Sequence, residues 1–301
     1  MRAAEILGRV RRIELRTQRF VNDALAGRFA SVFKGRGMDF DRVRNYVPGD
    51  DVRTIDWNVT ARTGDTHIKL FTEERELTIL LAVDVSASAD FGSAASSKRE
   101  TAAEAAAVLA ASAIRTRDRV GLLLFTDQVE LYIPPGKGRL QMMRLIREIL
   151  FFQPQHQGTH LTKALDVTNH LLHRRAVVFL FSDFCLPPPL AINLADFKKK
   201  LQITYRRHDV IAVAINDARE AELPNVGLLR IQDAESGETM TLDTAKRSVR
   251  EAYAKKSRER RQQIATAIRS LGIDMLEMTN GEAWMPEWLA FFKTHRQRSG
   301  A

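Results

Sequence analysis

Residues 77–88 have the sequence LTILLAVDVSAS, an apolar run that ends in the pattern Asp84-x-Ser86-x-Ser88. The run combines Thr, Ile, Leu and Val with almost no charge, which predicts a strand buried on both faces of a sheet. Asp84, Ser86 and Ser88 then follow at the carboxyl end of this strand, where open α/β sheets bind their ligands. One carboxylate and two hydroxyls are hard oxygen ligands suited to Mg²⁺. The stretch therefore predicts a cation site at a strand end.

The chain after residue 76 alternates between strand and helix patterns. Predicted strands cover residues 78–85, 120–126, 130–133, 176–182, 209–215 and 273–278, and predicted helices cover 98–115, 138–152, 162–173, 194–205, 244–271 and 286–295. A hairpin insertion is predicted around 227–242, because Ser236-Gly237 is a turn signal between two short alternating runs. The alternation predicts an α/β domain over 77–301, with a doubly wound, mostly parallel sheet and helices on both faces.

The segment before residue 77 has a different character. Residues 3–25 have a helical pattern that closes at Gly27, and a polar stretch with a turn at Pro48-Gly49-Asp50 follows. Residues 66–71 alternate polar and apolar side chains, which is typical of a strand with one buried face. We expect residues 1–76 to form an N-terminal extension that packs on the main domain.

The size and the cysteine content of the chain indicate the class of protein and its cellular compartment. The chain has 301 residues, 45% of them hydrophobic, which suits a globular protein with a sizeable core. No apolar run approaches the ~18 residues of a membrane helix, and the charged N-terminus has no signal-peptide core. The single cysteine, Cys185, cannot form an internal disulfide. We therefore expect a cytoplasmic protein, with Cys185 as a buried structural thiol rather than a nucleophile.

The formal net charge of +9 is concentrated in two helical segments, residues 2–19 and 246–261. Each segment is predicted to be a basic amphipathic helix. Such a helix is either a solvated face or a surface for polyanions such as nucleic acid. No aromatic residues alternate with the basic ones, as a stacking platform for bases requires. A solvated face is the favoured interpretation.

Two later segments complete the predicted cation site. Thr159 lies in a short loop just ahead of a helix, and Asp183 follows a second apolar strand. Adjacent strand ends in a parallel sheet lie about 5 Å apart, so Asp183 could reach the same ion as Asp84, directly or through water. Three hydroxyls and two carboxylates leave Mg²⁺ weakly neutralised. One open position on the ion would then suit an Asp or Glu side chain of another protein.

The set Asp84, Ser86, Ser88, Thr159 and Asp183 resembles the metal-ion-dependent adhesion site (MIDAS) of von Willebrand factor type A domains. The resemblance covers roughly residues 77–295. It implies that Ser86, Ser88 and Thr159 ligate Mg²⁺ or Mn²⁺ directly, while the two aspartates hold its waters. The threonine loop departs from the usual Gly-Gly-Thr, because residue 157 is Gln. For Asp-x-Ser-x-Ser alone, the alternative is helix capping after a strand.

Nearly the whole chain resembles the bacterial family known as domain of unknown function 58. The likeness lies in the N-terminal motifs at residues 35–40, 44–53, 55–58, 60–64 and 73–76. Members of that family are commonly linked to AAA+ ATPases of the MoxR class. The resemblance therefore implies a partner or adaptor in the maturation of other protein complexes.

Several further residues are candidates for partner binding. They are Asp50, Asp51, Arg53, Asp56, Trp57 and His160. The alternative for the first five is a buried, salt-bridged corner that packs the segment on the sheet, with Trp57 as its apolar anchor. His160 is expected to be an exposed first-turn residue rather than a metal ligand, and Asp127 a turn residue.

Three function classes fit these patterns. The favoured one is a non-enzymatic, metal-dependent protein-binding module that serves an AAA+ ATPase. A Mg²⁺-dependent phosphoester hydrolase is the second, although position 86 is Ser where such enzymes usually have a second acid, and no evident general base lies nearby. A nucleic-acid-associated protein that uses the basic helices is the third.

Overall fold

A computed structural model describes residues 3–20, 39–72, 76–94, 96–186, 190–232, 234 and 237–299. The predicted end of the first helix near residue 25, and the motif residues 35–38 and 73–75, lie outside this part of the chain.

The predicted strands and helices occur in the predicted order, and the strand Asp39–Asn45 and the short helices Trp57–Thr63 and Ala218–Ala221 are additional. The strands are β1 Asp39–Asn45, β2 His67–Thr72, β3 Thr78–Asp84, β4 Arg119–Phe125, β5 Val129–Gly136, β6 Val177–Ser182, β7 Asp209–Asn216, β8 Leu228–Gln232, β9 Thr239–Asp243 and β10 Asp274–Thr279. The helices are α1 Ala3–Phe20, α2 Trp57–Thr63, α3 Lys98–Arg115, α4 Gly138–Phe151, α5 Leu161–Leu171, α6 Leu190–Arg207, α7 Ala218–Ala221, α8 Arg247–Arg269 and α9 Met285–Ser299.

Six of these strands form the central sheet, in the order β10-β7-β6-β3-β4-β5. All neighbours in the sheet are parallel except β5, which pairs antiparallel with β4 at one edge. β3 lies inside the sheet, and its consecutive residues Leu80 and Leu81 are both fully buried. Because successive side chains point to opposite faces, both faces of the sheet are covered. The predicted doubly wound, mostly parallel α/β architecture is confirmed.

Helices cover the sheet on its two faces and divide the core in two. Leu81 of β3 belongs to a core cluster with residues of α1, α3, α4 and α9, including Trp288. Leu80 belongs to the opposite cluster with residues of α5, α6 and α8, including Phe197. The predicted hairpin insertion is also present as the antiparallel pair β8–β9. No helix among the described residues is long and apolar enough to cross a membrane.

α1 packs on the main domain through its apolar face. Val10 and Ile13 are buried in the core cluster that contains α3 and α4. Beside them, the buried Glu14 accepts a hydrogen bond from Arg139 Nη2 at 2.9 Å. This bond lowers the pKa of Glu14 despite the opposing effect of burial. The first part of the extension is therefore attached to the domain by both apolar contact and an ion pair.

The second part of the extension is a small unit built from β1, β2 and α2. β1 and β2 form an antiparallel pair, and the turns between them are closed by local hydrogen bonds. α2 ends at Gly64, whose φ of 83° is the left-handed conformation that glycine adopts without strain. Its start is capped by Asp56, which accepts hydrogen bonds from Asn58 N and Val59 N at 3.1 and 3.2 Å.

Candidate metal centre

Asp84 ends β3 and is held in place from two sides. The parallel register pairs Val83 with Phe181, which brings Ser182 of β6 beside Asp84. Ser182 Oγ donates a hydrogen bond to Asp84 Oδ2 at 2.7 Å, and the backbone N–H of Ser86 donates to Oδ1 at 3.0 Å. The buried carboxylate is thus fixed at the carboxyl edge of the sheet.

The turn after β3 brings two hydroxyls to the same place. Ser86 Oγ lies 3.2 Å from Ser88 Oγ, and Ser88 Oγ donates to Asp183 Oδ2 at 2.9 Å. Ser86 begins a 3₁₀ turn at residues 87–90, yet its side chain makes no capping hydrogen bond there. Helix capping is therefore not the role of this serine. Four of the five predicted residues form one hydrogen-bonded cluster, because Asp84, Ser86, Ser88 and Asp183 lie at adjacent strand ends.

The loop that carries Thr159 lies against this cluster. The backbone N–H of Ala87 donates to Gln157 O at 3.0 Å, and the N–H of His160 donates to Thr126 O at 2.9 Å. Thr159 between them is buried. His160 is exposed at the start of α5, where its ring contacts Thr162 Oγ1 at 2.8 Å. The expectation of an exposed first-turn histidine is confirmed.

Glu130, which the sequence analysis did not single out, anchors the same loop. Its carboxylate accepts hydrogen bonds from Gln155 N at 3.1 Å and from His156 N at 3.0 Å, and it lies 2.9 Å from the His156 ring. Burial of Glu130 opposes its ionisation, but these hydrogen bonds outweigh burial and lower its pKa. The Thr159 loop is therefore tied to β5 by a charged acceptor.

A lysine is the second residue that the sequence analysis missed. Lys98 opens α3 directly after Ser97, which caps the helix in a reciprocal pair with Glu100. Its Nζ donates to Asp183 Oδ2 at 2.7 Å and to Glu220 Oε1 at 2.6 Å. The lysine side chain is only 3% exposed. An ammonium group and a further carboxylate therefore belong to the centre.

The charges at the centre do not balance. Burial, together with the nearby carboxylate of Asp183, raises the pKa of Asp84 to about 7. Burial also disfavours the ionised form of Asp183, but Lys98 outweighs burial and lowers the pKa of Asp183. Burial raises the pKa of Glu220. The centre has three carboxyl groups and one ammonium, which pairs with Asp183 and Glu220. A further positive charge would therefore favour the ionised forms of these carboxyl groups.

The donor set suits a hard divalent cation. Among the described residues, no group of three or more His, Cys, Asp or Glu side chains could by itself hold a metal ion. The centre instead combines hydroxyls with carboxylates, the oxygen ligands of Mg²⁺. It offers neither thiolate nor imidazole in the pattern of a zinc site. Mg²⁺ or Mn²⁺ therefore fits the residues that are present, because serine hydroxyls and carboxyl groups lie close together at the centre.

The backbone directly after Asp183 is in an unusual conformation. Phe184 has a φ of 53°, a left-handed value that costs a bulky residue about 1–3 kcal/mol. Its ring is buried against Phe197, with ring centroids 6.1 Å apart. The N–H of Cys185 donates to Asp183 Oδ1 at 2.9 Å. The Cys185 side chain is exposed, so the expectation of a buried thiol is wrong; the sharp turn directs Cys185 outward.

The acidic candidates of the N-terminal segment organise turns. Asp50 accepts two hydrogen bonds from Arg44, at 2.8 and 2.7 Å, which lower the pKa of Asp50. Asp51 accepts from Arg53 N at 2.9 Å, and Asp56 caps α2. These bonds are local to the segment, and Asp51 is exposed, so they order turns without forming the buried corner of the alternative interpretation.

Trp57 does not complete that corner. Its side chain is 68% exposed, and Arg53 is exposed as well. The interpretation of Trp57 as a buried apolar anchor is therefore wrong. The tryptophan instead presents a large apolar surface to solvent, on a short helix whose start is fixed by Asp56.

Comparison with known proteins gives relatives along nearly the whole chain. An uncharacterized protein of Mycobacterium tuberculosis (strain ATCC 25618 / H37Rv) is 32% identical over 292 residues, covering 96% of this chain and 89% of the relative. An uncharacterized protein of Mycobacterium avium is 30% identical over 169 residues, covering 55% of this chain and 94% of the relative.

Solved structures with a similar arrangement share little sequence with this chain. A conserved hypothetical protein BatB from Bacteroides thetaiotaomicron has a TM-score of 0.48 and 14% identity, covering 73% of this chain and 99% of that one. The VWA domain of SpRpn10 has a TM-score of 0.41 and 11% identity, covering 72% and 94%. The family model described as protein of unknown function DUF58 matches residues 42–263. The chain belongs to this family.

Proposed function

We propose that the protein is a non-enzymatic, Mg²⁺-dependent protein-binding module that acts as a partner or adaptor of a MoxR-class AAA+ ATPase. One observation carries the metal part of the proposal: hydrogen bonds join Asp84 to Ser86, Ser86 to Ser88 and Ser88 to Asp183, in one cluster at the carboxyl edge of the sheet. Such an edge is the usual ligand site of open α/β sheets.

The donor types suggest how the ion would be held. Ser86, Ser88 and Thr159 would supply hydroxyl oxygens directly, and Asp84 and Asp183 would hold its waters. The ion would supply an electrophilic position for a carboxylate of the partner. Because the neutral hydroxyls leave the ion under-neutralised, an Asp or Glu side chain would complete its coordination. Recognition would then depend on a single acidic residue of the partner.

The choice of partner rests on the family resemblance. Members of the family are commonly linked to MoxR-class ATPases, and the family model covers the N-terminal unit together with most of the main domain. Both regions could therefore take part in a shared partner interface.

The ion pairs of the basic helix α8 favour a solvated face over a surface that binds nucleic acid. Arg247 Nε lies 2.7 Å from Glu251 Oε1, and Lys255 Nζ lies 3.9 Å from Glu259 Oε1. These pairs of residues four apart place acidic groups among the basic ones. They lower the positive potential that phosphate binding requires.

An affinity purification from the native cell lysate tests the proposed function. The wild-type protein is used as bait in Mg²⁺ and again in EDTA, and bound proteins are identified by mass spectrometry. We expect an AAA+ ATPase to be retained in Mg²⁺ and released in EDTA. Retention of the ATPase without metal would contradict the metal mechanism. Binding of nucleic acid alone, or phosphatase activity of the purified protein, would support the other two function classes instead.

Modification of Cys185 is expected to block the metal-dependent interaction. The thiol is exposed and lies two residues after Asp183, whose Oδ1 accepts the Cys185 N–H. A bulky maleimide adduct two residues from Asp183 would crowd the edge of the sheet that an incoming carboxylate must reach. We expect labelled protein to lose most of its Mg²⁺-dependent partner capture.

The Cys185→Ser variant provides the control for this experiment. It has no thiol, since Cys185 is the single cysteine of the chain, so maleimide treatment should leave its capture unchanged. Equal capture by labelled and unlabelled wild-type protein would argue against an interface at this rim.

Replacement of Trp57 by alanine is expected to weaken partner capture without lowering stability. Exposed tryptophans are frequent energetic hot spots of interfaces, worth about 2 kcal/mol or more when truncated. The matched control is Leu140→Ala, which truncates a side chain that is 88% exposed on α4. Thermal unfolding and quantitative capture should be measured for both variants. A loss of capture of equal size in both would show that Trp57 has no special role.

A further inference from the structure

Lys98 places an ammonium group inside the candidate metal centre. Its Nζ lies 2.7 Å from Asp183 Oδ2, the same oxygen that accepts the hydrogen bond of Ser88 Oγ at 2.9 Å. On its other side, Nζ lies 2.6 Å from Glu220 Oε1. One oxygen of Asp183 thus faces both a predicted ligand hydroxyl and a positive charge.

The position of Lys98 is fixed by its backbone. It is the first residue of α3, after the capping serine, and its N–H donates to Phe91 O at 2.9 Å. With Asp84, Ser88 and Asp183, its side chain lines a small cleft at the strand ends. The lysine is therefore an integral part of the centre and not a surface side chain that folds over it.

We propose that the Lys98 ammonium is a resident cation that holds Asp183 while the centre contains no metal ion, and that it competes with a divalent cation for this carboxylate. This inference rests on the proposed function, because it concerns the same site. Two positive charges at one carboxylate repel each other strongly where water is excluded. A divalent ion that draws on Asp183 must therefore weaken the contact with Lys98.

Glu220 gives the displaced ammonium a second partner. It lies on α7 and its backbone O accepts a hydrogen bond from Ser257 Oγ of α8 at 2.8 Å. When Asp183 turns toward a metal ion, Lys98 retains Glu220 as its counter-ion. Ion binding at the strand ends is thereby linked to the α7–α8 surface through Lys98.

The test compares Mg²⁺ affinity between the wild type and Lys98→Met. Methionine keeps the length and apolar stem of lysine but removes the charge. We expect at least about tenfold tighter Mg²⁺ binding by calorimetry, since a neighbouring charge shifts the proton affinity of a carboxylate by about one to three pKa units. The rise in melting temperature on addition of Mg²⁺ should also be larger in this variant.

Glu220→Gln provides a second variant with the opposite expected effect. Without Glu220, Lys98 has Asp183 as its remaining partner in the centre, so we expect weaker Mg²⁺ binding than in the wild type. Glu222→Gln, which removes an exposed carboxylate next to α7, is the matched control and should bind Mg²⁺ as the wild type does.

The outcomes separate this inference from the proposed function. If the wild type binds Mg²⁺ and Lys98→Met binds it no tighter, the competition is wrong while the metal site remains. If neither protein binds Mg²⁺, the metal part of the proposed function fails and the competition fails with it. If Lys98→Met does not fold, Glu220→Gln decides, and binding equal to or tighter than that of the wild type would overturn the inference.

Discussion

The double variant Ser86→Ala/Ser88→Ala is expected to lose Mg²⁺-dependent partner binding while keeping its fold. The change removes two of the three hydroxyls proposed to hold the ion directly. Residues that only orient metal ligands already change metal affinity by about 10- to 100-fold when they are replaced. We therefore expect loss of two direct ligands to lower Mg²⁺ affinity by at least about 100-fold.

The fold should survive because each carboxylate that loses a serine hydroxyl keeps other hydrogen-bond partners. Ser86 Oγ lies against Ser88 Oγ. Because the double variant removes both hydroxyls, neither is left behind without the other. Asp183 loses the Ser88 bond but keeps Lys98 and the N–H of Cys185. Asp84 loses the Ser86 side chain but keeps the Ser182 hydroxyl and the N–H of Ser86. A single hydrogen bond contributes about 1 kcal/mol net. The expected loss of stability is therefore of this order.

Calorimetry with MgCl₂, partner capture in Mg²⁺ and thermal unfolding together check this result. Ser270→Ala is the matched control, because Ser270 Oγ bonds only locally, to Ala267 O on the exposed end of α8. Partner capture by the double variant at the wild-type level would refute the MIDAS-type mechanism. A large drop in melting temperature would instead show that the serines hold the turn together.

Much of the centre could be predicted from the sequence because it follows from parallel strands. The apolar runs before Asp84 and Asp183 identify two buried strands, and such strands in a doubly wound sheet end at the same edge. The register that pairs Val83 with Phe181 then makes the two carboxylates neighbours. Type and order of the elements follow from the alternation of short apolar runs with longer helical segments between residues 77 and 278.

The ion pairs of the centre could not be predicted in the same way. Lys98 is 85 positions from Asp183 and 122 from Glu220 in the chain, and no local pattern links them. A lysine at the start of an Ala-rich helix looks like an ordinary solvated residue, since lysines are seldom fully buried. The expectations for Trp57 and Cys185 are wrong for the converse reason. The general preference of their residue types for the interior does not hold on the short helix α2 or in the turn after Asp183.

A different buried group should control the response of the fold to acid. His208 lies between α6 and β7, and its side chain is 1% exposed. Neither ring nitrogen has a hydrogen-bond partner among the described residues. Burial, with Arg207 and Arg175 adding to it and Asp209 opposing it, lowers the pKa of His208 from 6.5 to about 4. The native protein therefore keeps this ring neutral at pH values where the unfolded chain protonates it.

We expect His208→Leu to remove part of the acid sensitivity of the protein. A histidine with a lowered native pKa contributes its full stability above pH 6.5, and this contribution is lost as the pH falls from 6.5 toward about 4. At 1.36 kcal/mol per pKa unit, the wild type should lose about 2 kcal/mol through this ring by pH 4.5. The leucine variant cannot protonate there and should be spared that loss.

Urea unfolding at pH 7 and pH 4.5 measures the effect as a difference between proteins. Carboxylates titrate in the same range, but they contribute equally to both proteins and cancel in the difference. His173→Leu, which replaces an exposed histidine, is the matched control and should follow the wild type. The quantity compared is the difference in free energy of unfolding between His208→Leu and the wild type. If this difference is no larger at pH 4.5 than at pH 7, protonation of the buried ring does not destabilise the fold. A difference that widens by about 2 kcal/mol would identify His208 as a main acid-sensitive group of the core, separate from the carboxylates of the metal centre.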